Sequence, residues 1–493
     1  MKKELLAAGT LALFATSATL AGLPNYVVVP LGDAPGGDFF SRAFDINDHG
    51  EIVGSSKTTF DDIQQVAVRW TPGSNEPEIL SGLDGFDFSR AQTINNDGLI
   101  GGFEDVLGEN QHAWIWDEHN GLDFFLGDIG DPDISFSRMG EVTNHGKIVG
   151  WLRFSDPDSG TRGYVFDLDT EDRLILDPIG PDGNQSLASS MNPFGLVVGS
   201  ASEFPDREKP FRDAAGWSPG QTTPNVLPGM FNFDDYEETA ARHATEAGVI
   251  VGSAGNRDLD GTLFAQSENW IWEPGTQTAE SLGFLDDMDW TKVSDINDDA
   301  TFMVGWAYND GENNPEFIEN HVGAIWTPHE GWVDVNTLIL DGSDYRIVEL
   351  AGMNAAGEIV GTAINPDGDV EAVLLTPGCL TLDVDNLVSG ENAQIRVGGG
   401  TPGSRTVVLA GFGGEPSTFI GVKGWCATFG FDVRLKKSKI RLTATGVFNG
   451  DGVFEATTFV RDQVQGLHLL FQAAEHDTCP DECMSNIVEA VVQ

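Results

Sequence analysis

Asn256, Asp258 and Asp260 place oxygen-bearing side chains at alternate positions just before Gly261, and Glu268 follows one place beyond the usual bidentate carboxylate of a calcium loop. Calcium is held by several oxygen ligands, and a chain that turns sharply at a glycine brings alternate residues to one point. Asn365, Asp367 and Asp369 repeat the spacing in "NPDGD" and make a second candidate cation site. Calcium is therefore the cofactor these residues imply. An ordinary solvated turn is the alternative at both places.

All four cysteines fall in one stretch: Cys379, Cys426, Cys479 and Cys483. An even count in a small exported unit implies two disulfides, and of the three possible connectivities Cys379 with Cys426 and Cys479 with Cys483 is favoured. A metal site built on His476, Cys479 and Cys483 is the alternative, although a zinc centre wants a fourth ligand and commoner spacings.

Apparent catalytic motifs fail on context. "GWSPG" around Ser218 has the outline of a nucleophile elbow, but Pro follows the serine and no helix comes next. "GGGTPG" from Gly398 leads into the strand-like "RTVVLA", not into a helix that would hold a phosphate. Both read as turns, and there is no HExxH.

The elements that must position these residues are strands. A segment of one type recurs seven times: "AFDINDHGEIVGSS" at Ala43, "AQTINNDGLIGGF" at Ala91, "EVTNHGKIVGW" at Glu141, "SSMNPFGLVVGSA" at Ser189, "ARHATEAGVIVGSA" at Ala241, "SDINDDATFMVGWA" at Ser294 and "AGMNAAGEIVGTA" at Ala351. The closing glycines are Gly54, Gly102, Gly150, Gly199, Gly252, Gly305 and Gly361, spaced by 48 to 56 residues, slightly above the roughly 40 to 50 typical of propeller blades. Each copy continues into a second anchor such as "AVRWTPG" or "NWIWEPG", and six continue into a short apolar segment such as "EILSGL". Apolar alternation ended by Gly or Pro-Gly predicts strands joined by tight turns, four to a copy.

The seventh copy stops at Gly378 without its fourth segment, while "YVVVPLG" stands before the first copy. A ring completed by both termini leaves no sheet edge open to aggregation, whereas a linear array needs caps. The predicted fold is therefore all-β: a seven-bladed β-propeller over residues 25–378, closed by the strand near Tyr26 to Leu31 lying beside Ala372 to Leu375. Residues 379–493 alternate strand-like segments with turns and predict a small antiparallel β-sandwich.

Asn47, Asn95, Asn144, Asn192, Asn297 and Asn354 recur after the first strand of six copies, with Thr245 in the other. Asn side chains bond backbone groups two residues on, which explains them as turn residues. A ring of ligands around a central channel is the alternative.

The repeat "INDxGxIVGxS", followed by "A-x-x-W" and a leucine-rich close, resembles the HAF-family extracellular repeat of bacterial exported proteins over roughly residues 40 to 378. "QHAWIW" at Gln111 and "HVGAIW" at His321 are its nearest copies of the family signature. The resemblance implies an exported repeat protein and transfers no catalytic residue. The last 115 residues (379–493) resemble the short immunoglobulin-like modules attached to such proteins, through "GTPGSRTVVLAGFGG" and "SNIV".

With 77 Asp plus Glu against 27 Lys plus Arg, the formal charge is -50. Repulsion from phosphate disfavours nucleic acid, so no nucleic-acid partner is expected. Residues 1–21 read as a secretory signal, with Lys2 and Lys3 before an apolar run from Leu5 to Leu20 and small residues ending at Ala21. The expected location is extracellular or periplasmic, with no membrane span. The expected function is non-catalytic binding of an extracellular glycan or protein, with Trp151 and Trp306 exposed after the repeat glycines as stacking surfaces. A hydrolase or lyase acting on an extracellular polysaccharide, with paired carboxylates at the channel mouth, is the alternative.

Overall fold

The computed structural model describes residues 23–35, 40–58, 65–81, 88–105, 111–123, 133–156, 159–202, 212–227, 238–257, 264–309, 318–339 and 344–378. Beyond these it describes 381–385, 388–398, 405–412, 418–421, 428–431, 441–447, 454–460, 468–475 and 488–491. The protein is all-β: strands and two short 3-10 turns make up its regular structure among the described residues. The chain divides into two compact units, Tyr26–Pro377 and one containing Gly378–Gln493. No described helix is long and apolar enough to cross a membrane.

In the larger unit the strands fall into antiparallel sets of four. The first set is Ser41–Ile46, Ile52–Lys57, Gln65–Trp70 and the two-residue Glu78–Ile79. Three sheets are separate sets of this kind, and two eight-stranded sheets each split into two sets at one parallel bridge, Gln65 to Phe88 and Ser267 to Trp290. The seventh set has three strands of its own, Arg346–Met353, Ile359–Ile364 and Val370–Gly378, and its fourth place is taken by the N-terminal strand Asn25–Pro30. Leu31 N donates to Ala372 O at 3.0 Å where that strand ends.

Apolar side chains on adjoining faces pack successive sheets together. Val53, Ala67 and Leu80 of the first sheet share a cluster with Ala91, Ile100 and Trp114 of the second. Val149, Leu176, Ala188 and Trp217 join the third to the fourth. Leu31, Val360 and Ala372, which belong to the seventh sheet, pack with Ala43, Ile52 and Trp70 of the first. Burial of each large aliphatic side chain contributes roughly 1.5 to 3 kcal/mol.

Hydroxyl groups reinforce these contacts. Ser89 Oγ accepts from Ala67 N (2.9 Å), Ser137 Oγ from Ala113 N (2.8 Å), Ser186 Oγ from Gly163 N (3.0 Å) and Thr239 Oγ1 from Ala214 N (2.9 Å). Each bond runs from the third strand of one sheet to the first strand of the next. Ala372 N of the seventh sheet donates in the same way to Ser41 Oγ of the first, at 3.0 Å.

The first strand of every sheet carries a β-bulge, between Ala43 and Asp45 in the first and at matching places in the others. The bulge explains the repeat glycine. A Cβ on Gly54 would clash with the carbonyl oxygen of Arg42, and a Cβ on Gly252 with Ala240 O and the Trp270 ring. Glycine is the one residue that leaves room for this approach.

The C-terminal unit is antiparallel throughout its described strands. Thr381–Asp385, Asn392–Gly398 and Phe454–Phe459 form one sheet, and Arg441–Val447, Arg405–Phe412, His468–Glu475 and Val488–Val491 another. Thr418–Gly421 and Thr428–Phe431 form a two-stranded sheet of their own.

Candidate binding cavity

Two residues of a bulged strand oppose one on its partner, so a bulge re-aims a side chain that strict alternation would send elsewhere. Here it brings Phe44 and Asp45 of the first sheet to the same cavity, and likewise Gln92 and Thr93, Ser189 and Ser190, and Ser294 and Asp295. The cavity has a volume of about 950 Å3 and is lined from the first strands or following turns of all seven sheets. Phe194, 66 % exposed, stands among its lining residues.

Three of the carboxyl groups lining it, Asp45, Glu141 and Asp295, lie close enough to influence one another's charge. Asp45 Oδ2 accepts from Ile94 N of the second sheet at 2.9 Å, Glu141 Oε2 from Met191 N of the fourth at 3.1 Å and Asp295 Oδ2 from Met353 N of the seventh at 2.9 Å. Burial pushes Asp45 up to about 7, and burial with the charge of Asp45 pushes Asp295 up to about 8. Glu141 is raised by burial as well. His243, beside Arg242 and Lys292, is pulled down to about 4, mainly by burial, and is neutral at pH 7. Thr93 Oγ1 takes the same place as these carboxylates, 3.5 Å from Val142 N. A neutral hydroxyl serving this position identifies its common task as bridging one sheet to the next.

The turns around the cavity bear out the turn role of the recurring asparagines. Asn47 Oδ1 accepts from His49 N (3.1 Å) and Glu51 N (2.9 Å), so it orders its own turn. Its Nδ2 donates to Asn95 O of the next sheet at 3.1 Å, and Asn95 Nδ2 donates to Thr143 O at 3.1 Å. The register corrects one assignment. Thr143, not Asn144, occupies this position in the third sheet: Thr143 N bonds Lys147 O at 2.8 Å, as Asn47 N bonds Glu51 O. Asn144 stands one place further on, where its Oδ1 accepts from Asn96 N at 2.8 Å. A count along the chain finds the same position, since Thr143 precedes Gly150 by seven residues as Asn47 precedes Gly54.

The expected stacking residues are half-buried, not exposed. Trp151 lies on Phe136 with ring centroids 4.9 Å apart, and Trp306 is held between Trp290 (5.2 Å) and His321 (4.2 Å). Neither lines the cavity. Cross-strand pairing places Trp151 opposite Arg138 and Trp306 opposite Lys292. Ser218 does line the cavity, but it opens a turn in which Gln221 N donates to Ser218 O.

The two calcium candidates separate. Asn365 Oδ1 accepts from the backbone N of Asp367 (3.0 Å) and Asp369 (2.8 Å), which makes that segment an Asx turn between the second and third strands of its sheet. Asn256 lies at the end of strand Ile250–Arg257, opposite Gln266, and Asp258 and Asp260 lie outside the described residues. Glu268 is buried within the next strand, and Ser281 Oγ donates to its carboxylate. Among the described residues no group of three or more His, Cys, Asp or Glu stands ready to hold a metal ion. Residues 1–21, His476 and the four cysteines also lie outside the description.

The serine and threonine hydroxyls that link the sheets were readable in part. Ser-Arg recurs at 41–42, 89–90 and 137–138, at a constant spacing of 48.

No family model matches the chain, and no curated protein matches it. Solved structures do. One is from a study of two prolyl endopeptidases and their inter-domain dynamics, with 8% identity and a TM-score of 0.35, over 80% of this chain and 49% of that one. This chain thus spans about half of that endopeptidase. A protein of unknown function from Dyadobacter fermentans DSM 18053 has 14% identity and a TM-score of 0.34, over 72% of this chain and 98% of that one. A subtype N11 neuraminidase-like protein of A/flat-faced bat/Peru/033/2010 (H18N11) has 9% identity and a TM-score of 0.24, over 72% and 95%.

Proposed function

We propose that residues 25–378 are a closed seven-bladed propeller of HAF-repeat type acting as an exported, non-catalytic binding protein for an extracellular glycan or protein. The observation that carries this is a cavity lined by all seven sheets. Its carboxyl groups Asp45, Glu141 and Asp295 are occupied in bridging sheet to sheet, and the site offers a shaped polar surface with Phe194 exposed beside it. The bond from Ala372 N to Ser41 Oγ supports closure, because the seventh sheet treats the first as its successor. The C-terminal unit is read as a β-sandwich stapled by disulfides Cys379–Cys426 and Cys479–Cys483. The acidic charge keeps nucleic acid away, and the N-terminal signal directs the chain outside the cytoplasm.

Glycan-array screening of the full chain tests the binding function. Saturable binding without product release is expected, and weakened by Phe194→Ala. Turnover of a polysaccharide overturns it.

The raised carboxyls favour one second reading, polysaccharide cleavage, since Asp295 at about 8 stays largely protonated at neutral pH and suits a general acid. Under that reading Asp295→Asn abolishes product formation from an extracellular polysaccharide.

A further inference from the structure

Three residues before the cavity carboxylates, roughly 10 Å along a strand, the first strands carry the opposite charge. Arg42 pairs across to Ser55, Arg90 to Phe103, Arg138 to Trp151 and Lys292 to Trp306, so these four cations share one register position in four sheets. Glu349 holds that position in the seventh sheet and forms an ion pair with Arg42. Its other oxygen is 2.9 Å from His321 Nδ1. Arg138 donates to Gln111 Oε1 at 2.7 Å and has Asp105 nearby.

Arg90 makes no direct ion pair or side-chain hydrogen bond among the described residues, although the Glu349 carboxylate lies near enough to act on its charge. Its guanidinium lies 4.6 Å from the centroid of Phe44, 5.2 Å from Phe88 and 5.8 Å from Phe103, and its buried Nε meets no hydrogen-bond acceptor. Aromatic faces orient a guanidinium but leave its in-plane N–H donors free. Burial, then the like charges of Arg42 and Arg138, pull Arg90 down to about 10 against the smaller opposing effect of Glu349. In a chain with 77 acidic and 27 basic residues, a buried cluster of cations with an unfilled donor set is costly unless an anion joins it.

We infer that the register position of Arg42, Arg90, Arg138 and Lys292 is an oxyanion site, with Arg90 the principal donor, taking a carboxylate or sulfate either free or carried on an acidic sugar. An arginine fork matches such groups through paired N–H donors, and Trp151 and Trp306 stand opposite Arg138 and Lys292 in the same register. This deepens the binding function and rests on the strand register that function shares. It does not require Phe194.

Tryptophan fluorescence of the full chain, titrated with sodium sulfate and separately with trigalacturonate against sodium chloride of equal ionic strength, reads the site directly. A saturable change is expected, weakened about tenfold or more by Arg90→Gln. Sulfate alone binding assigns the site to free anions; trigalacturonate binding as well assigns it to acidic sugars. Lys292→Gln gives a second variant if Arg90→Gln alters the circular dichroism. Absence of any saturable change up to about 10 mM of either probe, or unchanged affinity in folded variants, overturns the inference. Loss of glycan-array binding with this titration intact would count against the cavity, not against the oxyanion site.

Discussion

Asn354 donates its side-chain Nδ2 to the carbonyl oxygen of Asn47 at 3.3 Å, across 307 positions of sequence. Asn47 makes that bond to Asn95, and Asn192 makes it to Thr245 at 3.1 Å. Beside it Ala355 N donates to Asp48 Oδ1 at 2.9 Å, as Asp48 N donates to Asn96 Oδ1. The junction between the last and first sheets is thus built from the same bonds as the internal ones.

Equivalent junctions should fail equally. Ser41→Ala leaves Ala372 N buried without its acceptor, and Ser89→Ala does the same to Ala67 N. Each is expected to lower stability by about 1 to 3 kcal/mol in urea titrations. A negligible loss for Ser41→Ala beside a full loss for Ser89→Ala would show the terminal junction to be open.

Gly252→Ala is expected to cost about 1 to 3 kcal/mol or more, because a methyl group there meets Ala240 O and the Trp270 ring. Gly216→Ala is the control, since its nearest neighbour is an ordinary 3.4 Å contact with Leu227. Equal thermal midpoints for the two variants would contradict the bulge as the reason for the glycine.

The cavity carboxyls set a pH dependence. Asp45 and Asp295 hold protons more tightly folded than unfolded, so their contribution weakens as pH rises from about 4 through 7 and 8. Asp295→Asn keeps the side-chain oxygen near Met353 N and removes the ionisation. Its midpoint relative to the parent should rise between pH 5 and pH 9 (test conditions bracketing about 8); a gain independent of pH would contradict the raised value.

Glu349 runs the other way. Burial alone would raise it, but the His321 hydrogen bond, then Arg42, His321 and Lys292, hold it down to about 2. Its stabilisation is present above the usual carboxylate range and is lost as pH falls toward 2. Glu349→Gln should therefore destabilise the protein at pH 7, with the difference disappearing in acid, as read by thermal melts across pH.

Any calcium response should run through Asp258 and Asp260, because Asn365 is committed to its own turn. A thermal shift at about millimolar calcium, of the order of extracellular affinities, is expected to vanish in Asp258→Asn with Asp260→Asn and to survive Asp367→Asn. Loss of the shift in Asp367→Asn would move the site to the last sheet.

The strand content, the sevenfold repeat and the place of the N-terminal strand beside Ala372 are local or additive properties. Alternation, turn residues and a missing fourth segment write them directly into the order of residues. The turn role of Asn47 belongs with these, since it is satisfied within five residues. The cavity does not. Whether Asp45 faces it depends on a bulge that inserts one residue into the alternation, whereas Thr143 stands seven residues before Gly150 as Asn47 does before Gly54 and could be placed by counting. Trp151 and Trp306 read as exposed because sequence shows a residue's type but not its neighbours; Phe136 and His321, which cover them, come from other strands. The pairing of Arg42 with Glu349, and the place of Arg90 among aromatic rings with no direct ion pair among the described residues, exist only once distant strands share a register, because charge interacts through distance in space and not along the chain.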